Sequence, residues 1–178
     1  MGREIRRVPA NWQHPTYRTM RLGRDFRGEI ETCEIETWKP LLNEDFAAVA
    51  AEWDAGNEAW NNGVRPAAAE KYNCATYEEW AGERPNPEYY VPYDVNGDLP
   101  WWQMYETVSE GTPVTPAFAT AEELIVFLAE NGQQYEDGET DGPWGRDAAE
   151  RFVKSDKWFP SGVIAHGVWH TAKEGWPK

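Results

Sequence analysis

The chain has 178 residues, 40% of them hydrophobic, and a formal net charge of −14. That length is enough to bury a core, and the apolar content excludes a wholly disordered chain. The acidity argues against direct DNA binding by the body of the protein, because affinity for nucleic acid rests on neutralising phosphates.

The charge is unevenly spread. Residues 1–28 carry seven arginines against Glu4 and Asp25, whereas residues 29–178 carry ten basic residues against 29 acids. The chain therefore reads as a single acidic domain, 1–178, with a basic N-terminal segment, 1–28. Arg3, Arg6, Arg7 and Trp12 make the start of that segment a basic, aromatic arm. Such an arm either seeks phosphate or pairs with the acidic body of its own chain. Eleven tryptophans are more than a core of this size houses, so some are expected at a surface, where aromatic anchors dominate binding.

In chain order, Ile5–Val8 predicts a short strand ended by Pro9. The stretch EIETCEIETW, 29–38, alternates as a strand does. Asn43 reads as an N-cap for a helix whose Phe46, Val49, Ala50, Trp53 and Trp60 share one face and which ends near Gly63. Thr76 and Glu79 form a capping-box pattern for a short helix holding Tyr77 and Trp80. Asn96-Gly97 between aromatic runs predicts a hairpin, although Pro92 and Pro100 limit its pairing. Thr120 and Glu123 open the clearest helix. Its buried stripe is Ala121, Leu124, Ile125 and Leu128, and Gly132 ends it. After an acidic, glycine-rich loop, 136–145, a helix from about Arg146 to Ser155 buries Ala149, Phe152 and Val153. The tail predicts two short strands turning near Gly167. Helices and short strands without a βαβ rhythm predict an α+β fold, a short antiparallel sheet with several helices packed on it.

Chemistry-bearing motifs are sparse. His166 and His170 lie four apart in a strand-like segment, where that spacing spans roughly 13 Å, too far for one metal. Asp94-Val-Asn-Gly-Asp98 fails the calcium-loop register, since the sixth position is Leu99 and the twelfth is Tyr105. Glu136, Asp137, Glu139 and Asp141 could hold calcium weakly, but a solvated loop explains them as well. Ser109 and Ser161 do not sit in a nucleophile elbow, and no phosphate-cradling glycine loop precedes a helix. No catalytic residue, metal site or cofactor is predicted. Two cysteines, Cys33 and Cys74, make no disulfide framework. The start of the chain predicts no secretory signal, and the longest apolar run, 124–129, is far short of a membrane span.

The most distinctive stretch is WWQMYETVSEGTPVTPAFATAEEL, 101–124. It reads either as a strand–loop–helix connection or as a ligand or partner surface built from Trp101, Trp102, Tyr105, Glu106, Ser109, Glu110 and Thr112. Together with RRVPANWQHP, 6–15, this stretch resembles a widespread group of uncharacterised tailed-bacteriophage and prophage proteins. The turn WFPS, 158–161, and the SGV that follows are similar to that group's C-terminal pattern. The resemblance covers residues 1–15 and roughly 101–170, and leaves 16–100 unmatched. It implies a viral protein acting in the host cytoplasm, and it brings no catalytic residues with it.

Two separated motifs in one family are expected to meet in the fold. Residues 3–8 are therefore expected beside the 101–107 strand, with Arg6 and Arg7 near Glu106 or Glu110 and with Trp12 and Pro15 seating the next turn. The function expected is non-enzymatic: binding and inhibition of a host protein complex, of the CRISPR defence type for example, through an acidic and aromatic surface. A small-ligand binder, sequestering a nucleotide or signalling molecule, and a minor virion or assembly component are the alternatives.

Overall fold

The computed structural model describes residues 2–24, 27, 30–107, 111–134, 140–155, 159–160, 162–165 and 168–171. The fold is α+β, with a small antiparallel sheet and five helices among the described residues. It divides into two compact units, residues 41–97 and the remainder, 1–40 with 98–178.

The larger unit is organised by β1 (Gly2–Val8) and β4 (Trp101–Glu106), which run antiparallel with Arg3 opposite Glu106, Ile5 opposite Met104 and Val8 opposite Trp101. Thus the two separated motifs do meet. The short β5 (Thr112–Pro113) returns on the far edge of β4, and β6 (Phe159–Pro160) pairs with Gly2 and Arg3, giving the order β5-β4-β1-β6. Proline sits in the two outer strands, where a missing ladder donor is tolerated.

Alternation divides the central strands between two faces. Ile5, Trp102 and Met104 share the apolar face with α4 (Ala121–Asn131) and α5 (Arg146–Ser155). The core there is Met104, Val114, Leu124, Ile125, Leu128, Ala149, Phe152 and Val153, which are all nearly inaccessible. The helix α4 forms as its sequence dictates. The Thr120 hydroxyl accepts from the Glu123 amide, Glu123 returns the favour to the Thr120 amide, and Gly132 ends the helix at φ +78°. Leu124→Ala and Leu128→Ala should each lower the unfolding free energy by about 2–5 kcal/mol in urea melts, and Thr120→Ala by about 1 kcal/mol. A loss under about 1 kcal/mol for either leucine would contradict their place at the centre of the core.

Residues 16–38 form a two-stranded antiparallel hairpin of β2 (Thr16–Arg24) and β3 (Ile30–Trp38). The tail strands β7 (Gly162–Ala165) and β8 (Val168–Thr171) make a further hairpin, whose turn residues lie outside the described set.

In the smaller unit, α1 (Phe46–Asn61) is capped by Asp45, not Asn43. Leu42 is held extended by backbone bonds with Tyr89 and Val91, so the chain turns into the helix only at Asp45, whose carboxylate accepts from the Ala47 amide. The helices α2 (Ala67–Lys71) and α3 (Tyr77–Ala81) follow. Thr76 caps α3, but Glu79 reaches back to the Ala75 amide and not to that of Thr76, so the capping box is half formed. Gly56 of α1 is where Tyr77 seats. A β-carbon there would come within 2.0 Å of the phenol oxygen.

The hairpin expected at Asn96-Gly97 does not form. Asp94 captures the turn instead, its carboxylate accepting from the Asn96 amide and its carbonyl from the Gly97 amide. The strand β4 pairs instead with β1 and with the short β5, and Tyr90 bridges to Leu42.

Candidate functional site

The residues singled out in the central motif are largely built into the sheet. Tyr105 is wholly buried and Thr112 is 5% exposed, while Trp101 and Trp102 are half-buried at the start of β4. Ser109 and Glu110 lie outside the described residues.

The basic arm spends its charge on its own chain. On the helix-facing side of the sheet, the Arg3 guanidinium is buried. It donates to Glu106 Oε1 at 2.9 Å, to Gln133 Oε1 at 2.5 Å and to the Gly2 carbonyl. Arg7 lies over the Trp102 ring at 4.0 Å and donates to the Pro100 and Trp101 carbonyls. On the opposite face, Arg6 pairs with Glu4 at 2.6 Å and stands 4.3 Å over the Tyr105 ring. The expected partner of Glu106 is thereby corrected, while the alternative at Glu110 lies outside the described residues. Arg3, not Arg6 or Arg7, reaches Glu106, because the antiparallel register sets the start of β1 against the end of β4. An exposed surface pair contributes little, whereas a buried arginine stripped of its partner is costly.

His14, Gln103, Thr115 and Gln133 were not singled out from the sequence. Gln103 is 3% exposed, donates to the Thr115 carbonyl at 2.8 Å and accepts from the Tyr105 hydroxyl at 2.8 Å. His14 returns over this face after Trp12, which meets it edge-on at 6.0 Å. Its Nε2 donates to the Lys39 carbonyl at 2.6 Å and its Nδ1 lies 3.1 Å from the Tyr105 hydroxyl. Gln103 is a single polar residue between Trp102 and Met104 in β4 and the other three lie outside strands and helices, so no periodic signal marked them for burial.

Burial, with Arg6 nearby adding repulsion, pushes the His14 pKa down to about 4, against the opposing pull of the Lys39 carbonyl. The folded value lies below the unfolded value near 6.5, so stability from neutral His14 is complete above pH 6.5 and is lost as pH falls towards 4. Urea melts of wild type and His14→Gln from pH 7 to pH 4 should therefore converge, by up to about 3 kcal/mol. Parallel pH profiles would mean that His14 does not titrate in this window.

Among the described residues, Tyr17, Met20, Leu22 and Ile30 place exposed apolar side chains on the hairpin, while Val64, Tyr72, Tyr89 and Val126 are exposed elsewhere. Thr16, Arg18, Met20, Leu22, Ile30, Glu34 and Glu36 fall on one face by alternation and register. Met20, Leu22 and Ile30 are 61%, 70% and 69% exposed. Arg18 pairs loosely with Glu34 at 3.8 Å, and the Thr16 hydroxyl donates to Glu36. Among the described residues, β2 and β3 pair with no strand but each other.

Among the described residues, no three His, Cys, Asp or Glu side chains come together as metal ligands, and no helix is long and apolar enough to cross a membrane. No family model, curated protein or solved structure matches the chain.

Proposed function

We propose that the chain is a non-enzymatic accessory protein of a tailed phage or prophage that binds and blocks a host protein complex in the host cytoplasm, docking through the outer face of the β2–β3 hairpin. The observation that carries this reading is the exposure of Met20, Leu22 and Ile30 together at the far part of that face. A two-stranded hairpin is marginally stable alone in water, and clustered exposed apolar side chains mark interaction surfaces. The net charge of −14 adds long-range attraction to a basic channel, such as one that carries nucleic acid in a defence complex. The phage resemblance of the two sheet-forming motifs supplies the setting.

The test is affinity capture from infected cells, read by mass spectrometry, with wild type beside a Leu22→Glu, Ile30→Glu variant. Wild type is expected to retain one host complex, more weakly as salt rises, and to reduce that complex's nucleic-acid binding. The variant should lose the partner while keeping the wild-type melt. No stable partner at low and moderate salt, or equal capture by the variant, would overturn the reading.

A further inference from the structure

The smaller unit carries a groove of about 420 Å³, within the usual size of small-molecule sites, which is about 300–1,000 Å³. One wall is α1, whose Trp53, Asn57, Trp60 and Asn61 recur at helical spacing on one stripe. The other is the start of α3. Tyr77 meets Trp53 at 5.3 Å and Trp60 at 6.0 Å, edge to face in both cases, and the bare Gly56 backbone allows that approach. The Trp53 indole is fixed by its bond to the Gly82 carbonyl at 3.0 Å. The groove is thus held open by packing that fixes its walls.

Three of its polar side chains, Asn57, Asn61 and Arg65, are not engaged by hydrogen bonds from the walls. Arg65 lies 4.6 Å over the Trp60 ring, which orients the guanidinium through its flat face and leaves its in-plane donors unused. Among the described residues, the side chains of Asn57, Asn61 and Arg65 have no hydrogen-bond partner. Arg84 contrasts with this, since its Nε and Nη2 donate to the two carboxylate oxygens of Asp54 at 2.8 Å.

These features select among ligand chemistries. Residues 41–97 hold eleven acids against three bases, a field that repels anions. Inside the groove Arg65 and Glu78 offset each other, so neither sign of charge is favoured there. Trp60 is 4% exposed, with Arg65 already over its ring, so that ring offers no open face to a ligand. What remains is two amides, a guanidinium and the Glu78 carboxylate, planar groups able to bond adjacent hydroxyls, in one groove with the half-buried rings of Trp53 and Tyr77. We infer that this groove binds a neutral, hydroxyl-rich ligand, a sugar of one or two rings. The site is separate from the hairpin face and does not depend on the host-binding reading.

The full chain would be titrated with glucose, galactose, mannose, N-acetylglucosamine and their 1→4-linked dimers, and with AMP and spermidine as charged controls. Binding would be followed by tryptophan fluorescence and by backbone and indole NMR shifts. At least one sugar should give a saturable response centred on Trp53, Asn57 and Trp60, of roughly millimolar affinity, and the charged controls none. Asn57→Ala and Arg65→Ala should each bind about tenfold more weakly. Should Asn57→Ala fail to fold, the exposed Asn61→Ala replaces it. No sugar response, a response to AMP or spermidine in place of a sugar, or unchanged affinity in the folded variants would overturn the assignment.

Discussion

Deleting residues 1–15 is expected to abolish the folded state of the larger unit. The strand β1 is interior to the four-stranded sheet, so its loss removes the backbone ladders to both β4 and β6. It also removes the buried Val8, the packing of Ile5 against Met104 and the cover that His14 gives Tyr105. A domain is stable by only about 5–15 kcal/mol, and an interior strand contributes more than such a margin can lose. The exposed edge of β4 would then invite association, so the truncated chain should be poorly soluble. Circular dichroism and thermal melts of the truncated protein check this. A melt within a degree or two of the full chain would mean that the N-terminus is a free tail, because free termini contribute little to folding.

The second large effect is expected at Arg3. Its side chain is buried between Glu106 and Gln133, so Arg3→Ala removes the cation paired with a mostly buried carboxylate and a donor to an amide oxygen. Urea melts should show a loss of about 3–5 kcal/mol. Replacing the pair together, Arg3→Met with Glu106→Leu, should recover much of that loss, since apolar substitutes avoid the desolvation of both charges. Arg146 provides the contrast. It bonds Glu150 of its own helix and Glu122 of α4 at an exposed position, and Arg146→Ala should leave the melt almost unchanged. Equal losses at Arg3 and Arg146 would show that the buried pair contributes no more than a surface one.

How much of this was readable beforehand varied with the kind of signal. The helices α4 and α5 were legible because their apolar stripes, and for α4 its caps, are local properties of ten or so residues. The β1–β4 pairing was also anticipated, from the expectation that two motifs of one family meet. Its register was not, and so the partner of Glu106 was misassigned. The Asn96-Gly97 turn chemistry was real, but a turn makes a hairpin only if both flanking strands are free to pair. Whether Trp101, Trp102, Tyr105 and Thr112 formed a surface or a connection was undecidable from their types, because aromatic residues serve cores and interfaces alike. In the structure Tyr105 and Thr112 are inside.

By itself, the sequence determined the α+β class, the two best helices and the acidity of the protein, since each depends on residue type and short-range spacing. Tertiary structure decided what the charges and rings do. Antiparallel pairing across about a hundred residues turned a basic arm into an interior strand, placing Arg3 against Glu106 and His14 against Tyr105. The same folding left Met20, Leu22 and Ile30 exposed on the hairpin and Arg65 stacked and unbonded in its groove. Those outcomes rest on which segments become neighbours, and spacing along the chain does not encode long-range register.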